Sequence, residues 1–413
     1  MATVVLLGTL DTKGTEYGYL KDQILQHSDC DVLVVDAGVL GEPLTTPDIT
    51  RDEVAAAAGA RIEDLVAAND RGAAVMTMAE GAAAIVTRLF AEGNLHGVLG
   101  LGGTGGTSLV THAMQALPVG VPRLMVSTVA SGDTRPYVGA LDITMMYSVV
   151  DIAGINQVSG RILANAAAAI AGMASAYARP LPDSEHKPLI GATMFGVTTP
   201  SVTHAREVLE ANGYEVLVFH ATGAGGQSME ALADGGFLAG VLDITTTELV
   251  DDLVGGIFSA GPNRLEIAGE KGLPQVVSLG ALDMANFGPM DTVPAQFRDR
   301  NLYVHNATTT LMRTTPEECA ELGRRIGQKL SAATGPVALF IPRGGVSAIA
   351  TEGGAFHDAE ADAALIDTLL ANVGDNVEIH DLEQDINDPA FAEAMATRLM
   401  EMVADQQGEA SKA

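Results

Sequence analysis

The sequence predicts an α/β protein built from two doubly wound, Rossmann-like domains of related plan, with mostly parallel sheets. Three observations point there. Short apolar runs alternate with longer amphipathic stretches, which is the rhythm of βαβ units. The runs are apolar throughout, not at every second residue, as strands covered on both faces must be. The same order of strand and turn then occurs twice along the 413 residues, a length suited to two or three domains.

In the first half the strands are TVVLLG from Thr3, DVLVVD from Asp31, GVLGLG from Gly97 and RLMVS from Arg123. Helical spacing follows Thr15, Arg61, Ala82 and Ser108. The Ala-rich run Ile162–Ala178 is just short of a membrane span and reads as a buried helix. Three prolines and mixed charge mark a linker, which gives domains at residues 1–178 and 189–404 with 179–188 between them. After the linker, LIGATMFGVTTPSVTHAREVL repeats the plan of VVLLGTLDTKGTEYGYLKDQIL at the start of the chain. GYEVLVFHATGAGG, AGVLDITTTEL and LPQVVSLGALD continue the parallel, GPVALFIPRGGVS adds a strand and turn, and a strand and helix ending at Val403 close the domain. Residues 405–413 read as a disordered tail.

Composition narrows the function. Hydrophobic residues make up 47% and aromatics 4%, so Ala, Val, Gly and Leu carry the packing. The formal charge is −29. No basic stripe is present, so neither nucleic acid nor an anionic membrane is expected as a partner, and a cytoplasmic location is. The N-terminus has no basic region before its apolar run and reads as a strand, not a signal peptide. Cys30 and Cys319 form no motif and read as free thiols. The nine His are scattered, so no metal site from protein side chains alone is expected, and no GxSxG elbow is present.

Ligands of an open α/β sheet bind beyond the carboxyl ends of its strands. Three turns of the first domain meet there, rich in Gly, Ser and Thr, with one cation in each of two. The predicted phosphate-binding residues are Gly8, Thr9, Asp11, Thr12 and Lys13; Gly102, Gly103, Thr104, Gly105, Gly106 and Thr107; and Ser131, Gly132, Asp133, Thr134 and Arg135. Glycines let backbone N–H groups converge on one oxygen cluster, and helix N-termini add partial positive charge. Asp36, at the end of another strand, is the candidate for a ribose or base. The candidate catalytic residues are Asp133, as a base unless it positions Arg135 or binds Mg²⁺ with the nucleotide, and Glu248, as an acid, beside Asp283 as an acid and His220 as a base.

Leu99–Ser108 holds five glycines in ten residues, and Gly100, Gly102 and Gly105 match GxGxxG. The dinucleotide reading fails, because this is not the first turn of the domain and the next acid, Asp133, is 28 residues on. A P-loop also fails, since Lys13-Gly14-Thr15 gives KGT where GKT is needed. A general phosphate cradle is left, next to close helix-on-strand packing as the plain explanation of the glycines. The counterpart VLDITTTEL keeps the threonines and loses every glycine, so the shared architecture does not demand them.

GTLDTKGTE, the long motif Gly97–Asn156, LIGATMFGVTTP, GVLDITTTEL and VSLGALDMANFG resemble an uncharacterised family. It includes the N-terminal domain of the tomato mosaic virus resistance protein, and the resemblance spans about Met1–Val403. It implies a two-domain protein with a Rossmann-like first domain that binds ATP, with Mg²⁺ accompanying the nucleotide, and associates as a homodimer. The apolar stretch Ala140–Asn156 is the candidate interface, with a buried core strand and helix as the alternative reading. ATP binding of unassigned reaction is therefore expected. The alternatives are an enzyme for a small phosphorylated or carboxylated metabolite in an interdomain cleft, and a non-enzymatic metabolite-binding or interaction module.

Overall fold

The computed structural model describes residues 1–179 and 186–410. The chain divides into two compact units, Met1–Ser184 and Glu185–Ala413.

Unit 1 is a five-stranded sheet of β1 (Thr3–Gly8), β2 (Asp31–Asp36), β3 (Gly97–Gly102), β4 (Arg123–Ser127) and β5 (Thr144–Tyr147). The order is β2-β1-β3-β4-β5 and every pair is parallel. The strands alternate their buried side chains between two faces. Val5, Leu7, Val35, Val98 and Met125 meet the helices Arg71–Ala91 and Thr104–Gln115. Val4, Leu6, Val34, Leu99, Leu124 and Val126 meet Leu10–His27 and Gln157–Tyr177. Each such aliphatic side chain contributes roughly 1.5–3 kcal/mol of burial. The Ala-rich run predicted as a buried helix is the core of Gln157–Tyr177, where Ala166, Ala167, Ala171 and Ala174 let the helix lie close on the sheet. Arg71–Ala91 is the one helix, among the described residues, long and apolar enough by composition to cross a membrane. Its Ala74, Met78, Ala82, Ile85 and Val86 are core residues of the unit.

Two helices start earlier than the pattern predicts. Leu10–His27 begins one residue after β1, not after Thr15, because the carboxylate of Asp36, 26 residues away, accepts the Leu10 N–H at 3.0 Å. Thr104–Gln115 begins at Thr104, so Gly105, Gly106 and Thr107 form its first turn and are not loop.

Unit 2 carries β6 (Leu189–Met194), β7 (Glu215–His220), β8 (Gly240–Thr245), β9 (Gln275–Gly280), β10 (Met284–Phe287), β11 (Leu302–Asn306), β12 (Thr309–Arg313), β13 (Val337–Pro342) and β14 (Val377–Leu382). Six form an all-parallel sheet of order β14-β13-β9-β8-β6-β7. Its first four strands thus repeat the order of β1 to β4. An antiparallel sheet, β10-β12-β11, is inserted before β13 and is not predicted from the sequence. β11 is largely exposed, so it lacks the apolar run that marks the other strands. The last helix, Pro389–Ala410, runs through residues 405–410, predicted as the start of a disordered tail. Gln, Glu and Ala are good helix formers and extend it. Residues 411–413 of that tail and 180–185 of the linker lie outside the described residues. Both cysteines are buried free thiols.

Candidate functional site

The order β2-β1-β3-β4-β5 reverses between β1 and β3, and ligands of such sheets bind at this switch point. Pairing of β1 with β3 ends at Leu7 opposite Gly100. Beyond it the buried Tyr17 hydroxyl bridges the strands. It donates to the Leu7 carbonyl at 2.5 Å and accepts the Leu101 N–H at 2.9 Å. Burial drives its pKa above the usual phenol value. The ring takes the room that a Cβ on Gly8 would need, 2.0 Å from the hydroxyl oxygen. Gly8 is therefore a packing glycine.

Above the switch point is a cavity of about 590 Å³, within the size range of small-ligand sites. One wall is polar: Thr9, Asp11, Thr12, Lys13 and the run Gly102–Gly106. The lining also has an apolar part, with Val39, Leu40, Leu65, Val66, Ala74 and Val75. Asn69, Asp70, Arg71 and Asp151 add polar groups. Two helices begin at the polar wall, Leu10–His27 and Thr104–Gln115, and neither has a side-chain cap. The Leu10 N–H is held by Asp36, so it is the first N–H groups of Thr104–Gln115 that are left without a partner among the described residues and open to a ligand or water.

The glycines separate by function. A Cβ on Gly100 would lie 2.3 Å from Val110 Cγ1, and one on Gly102 would lie 3.0 Å from Gly106 Cα. These two are required by helix-on-strand packing. At Gly103, Gly105 and Gly106 the nearest atoms are 3.7, 3.9 and 3.6 Å away, ordinary contacts. None of the three has a positive φ. Neither packing nor backbone conformation demands these three glycines, and all three line the cavity.

Lys13 donates from Nζ to the Ile152 carbonyl, which ties the first helix to the loop that carries Asp151. Asp11 accepts the Leu40 N–H at 3.0 Å with Oδ2, while its Oδ1 is buried without a partner. Asp36 is only 1% exposed. It accepts Leu10 N–H and Gly38 N–H with Oδ1, and burial, with Asp11 beside it, raises its carboxyl above the usual range. Asp36 is a helix-start and turn anchor that does not line the cavity. Thr107 is fully buried, with its hydroxyl 2.7 Å from that of Ser127, so it joins helix to strand.

The turn Ser131–Arg135 is not brought to the cavity. The Arg135 side chain is 90% exposed and donates to Asp133 from Nε at 2.9 Å and from Nη2 at 2.7 Å. These hydrogen bonds hold the Asp133 carboxyl down at about 2. The pair satisfies itself because a single residue, Thr134, separates two partners of opposite charge. Asp133 is therefore no poised acid.

The corresponding turns of unit 2 are filled by the chain itself. Glu248 is fully buried. Its Oε1 accepts Gly223 N–H at 2.7 Å and Gly226 N–H at 3.0 Å, and its Oε2 accepts from Arg264 Nε at 2.7 Å. Arg264 also donates to both oxygens of Asp243, at 2.6 and 2.7 Å. So the glycine turn TGAGG does cradle an anion, and the anion is Glu248. That engagement removes Glu248 as a catalytic candidate. Thr193, Thr198 and Thr245 are buried and hydrogen-bonded to one another or to Asp243. Asp283 accepts from the Ser347 hydroxyl at 2.8 Å, and burial pushes its carboxyl up to about 6. His220 lies against Phe195, ring centroids 5.4 Å apart.

Sequence reasoning missed the apolar wall, Arg71 and Asp151. One signal was available: Asp70-Arg71 opens a long helix, and a cation in a first turn opposes the helix dipole.

Against known proteins, residues 2–179 match the N-terminal domain and residues 187–403 the C-terminal domain of the uncharacterised protein family UPF0261. A UPF0261 protein of Clostridium tetani is 56% identical over 97% of this chain and 98% of its own length. The ToMV resistance protein Tm-1(GCR237) of Solanum lycopersicum is 45% identical over 81% of this chain and 45% of its own length. Among solved structures, a UDP-GlcNAc 2-epimerase from Neisseria meningitidis is 10% identical, over 90% of this chain and all of its own, with a TM-score of 0.24. A likeness that slight carries nothing about function. The two family matches and the relative in Clostridium tetani are decisive: the chain belongs to the uncharacterised protein family UPF0261.

Proposed function

We propose that the protein is a cytoplasmic nucleotide-binding protein that holds ATP in the unit 1 cavity, its phosphates at the start of the helix Thr104–Gln115. One observation carries this reading: Gly103, Gly105 and Gly106 open on the cavity although neither packing nor φ requires a glycine there. A backbone without side chains at an uncapped helix N-terminus is what a phosphate group needs for close approach. The apolar part of the lining, Val39, Leu40, Leu65 and Val66, suits a flat base. Asp11, with its unpartnered Oδ1, takes over from Asp36 as the carboxylate for a ribose hydroxyl or a water on Mg²⁺. Among the described residues no three His, Cys, Asp or Glu side chains gather as metal ligands, so Mg²⁺ would come with the nucleotide.

Binding, not turnover, is the activity this geometry supports. Asp133 and Glu248 are each engaged within the fold, and neither lines the cavity. The homodimer belongs to the same proposal. It is supported by exposed apolar side chains in the candidate interface, Tyr147 and Val149, at 42% and 59%; light scattering tests it. For the ligand, isothermal calorimetry of the full chain with ATP and Mg²⁺ should give saturable 1:1 binding. The same titration with sugar phosphates and carboxylic acids should be silent. Tight binding of one of those metabolites and none of ATP would overturn the proposal.

A further inference from the structure

We propose that Arg71 is the residue with which the cavity reads the outer phosphates of its ligand, so that a nucleoside di- or triphosphate is preferred over a monophosphate. The inference rests on the nucleotide reading above and adds a selectivity to it.

Three features single Arg71 out. The first is position. Its Nη2 is 3.9 Å from where a Cβ on Gly105 would stand, so the guanidinium faces the glycine-rich start of Thr104–Gln115. An anion seated on that helix start would meet backbone N–H groups on one side and Arg71 on the other. The second is its lack of partners. In a chain of charge −29 five other arginines of unit 1 find carboxylates: Arg51 with Glu42, Arg61 with Glu63, Arg88 with Glu92, Arg123 with Asp142 and Arg135 with Asp133; Arg161 and Arg179 are not ion-paired, but neither lines the cavity. The Arg71 side chain makes no hydrogen bond or ion pair among the described residues. Its neighbour Asp70 is already engaged, accepting the Ala73 N–H at 3.0 Å as the cap of the helix. The third is electrostatic. Arg71 is the first residue of Arg71–Ala91, where the helix dipole disfavours a cation. A side chain kept unpaired at an unfavourable place gains nothing for the empty protein. It gains its partner when an anion enters.

Lys13, the other cation of the cavity, has its Nζ at the Ile152 carbonyl. Lys13 is thus tethered near the start of the first helix, and Arg71 is the cation able to swing onto a terminal phosphate. Its planar fork can donate two parallel hydrogen bonds to phosphate oxygens, which an ammonium group cannot. A monophosphate seated on the helix start would satisfy the backbone donors without an outer group for Arg71 to hold.

The test is calorimetry of the full chain with ATP, ADP and AMP, Mg²⁺ present, for the native sequence, Arg71→Ala and Arg71→Lys. Melting of each protein without ligand is the control for folding. Arg71→Ala should weaken ATP and ADP by about 10- to 100-fold, as loss of a charge-assisted phosphate contact does, and AMP by less than about twofold. Arg71→Lys should restore part of the loss. Melting without ligand should stay level or rise. An equal loss for ATP and AMP, or unchanged ATP affinity in Arg71→Ala, overturns the role of Arg71 while native ATP binding leaves the nucleotide reading standing. A native protein that takes up none of the three nucleotides overturns that reading, and this inference with it.

Discussion

Gly100 and Gly105 lie five residues apart in one motif, and the structure gives them opposite roles that a pair of Gly→Ala substitutions separates. In Gly100→Ala the new Cβ would stand 2.3 Å from Val110 Cγ1 and 3.1 Å from Val110 Cβ, with the helix behind Val110 pressed on the sheet. Overpacking of this kind costs about 1–3 kcal/mol. For a unit of this size that is a fall of roughly 2–12 °C in melting temperature. In Gly105→Ala the nearest atom to the Cβ is Arg71 Nη2 at 3.9 Å, and φ is not positive. Alanine is the better helix former by at most about 1 kcal/mol, so melting should hold or rise by a few degrees. The methyl group would, however, project into the space over the helix start and push a phosphate beyond hydrogen-bond distance. Loss of one or two charge-assisted bonds, each about 1.5–3 kcal/mol, predicts ATP binding at least about 10-fold weaker. Differential scanning fluorimetry and calorimetry on the same preparations read both quantities. A well-folded Gly105→Ala protein with native affinity for ATP would refute the division of the glycines into packing and ligand-facing sets.

Three further outcomes are expected. Tyr17→Phe leaves the buried Leu101 N–H without its acceptor, and unit 1 should lose about 1–3 kcal/mol in denaturant unfolding; an unchanged midpoint would deny the hydroxyl its bridging role. Arg264→Met strands the buried Asp243 and Glu248 carboxylates and should cost about 3–5 kcal/mol, whereas exposed Arg135→Ala should change neither melting nor ATP affinity. Asp283 keeps its proton up to about pH 6 in the fold but loses it near pH 4 in the unfolded chain, so its contribution is full below about pH 4 and is lost as pH rises to about 6. Asp283→Asn keeps an acceptor for Ser347, and its stability relative to the native protein should rise across that window by at most roughly 3 kcal/mol; a parallel pair of stability-versus-pH curves would rule this out.

What the sequence made legible is what local pattern encodes. Strands covered on both faces leave unbroken apolar runs, so the parallel strands from β1 to β4 and their repeats could be read directly. The antiparallel insertion could not, because β11 is exposed and carries no such run. The helix start at Leu10 depends on Asp36 at the end of a different strand, a partnership invisible until the two strands are paired. The glycine cluster was visible, but its division was not. Only the positions of Tyr17 and Val110 show that Gly8 and Gly100 make room for side chains. Arg135 misled because a cation in a Ser- and Gly-rich turn looks the same whether it waits for a phosphate or already holds Asp133. Arg71 was passed over because its misfit becomes apparent only once the helix it opens is in place.

The two units also show why glycine content is a poor mark of a ligand site. Their first four strands have the same order, so the helix after β8 in unit 2 stands where the helix after β3 stands in unit 1. The first residue of the unit 2 helix is the buried Glu248, and that of the unit 1 helix is the exposed Thr104. Glu248 reaches across to the turn after β7 and fills it, with Arg264 behind it. The equivalent turn of unit 1, after β2, contributes Ala37, Val39 and Leu40 to a cavity whose other side is Gly102–Gly106. The space that unit 2 closes with its own carboxylate is thus the space that unit 1 leaves open. The turn after β2 also meets carboxylates of the chain: Gly38 N–H donates to Asp36 at 2.8 Å, and Leu40 N–H to Asp11 at 3.0 Å. In unit 2 Glu248 stands at the start of the helix after β8; under the function proposed above, a phosphate of the ligand takes the corresponding place over Gly103–Gly106 at the start of Thr104–Gln115.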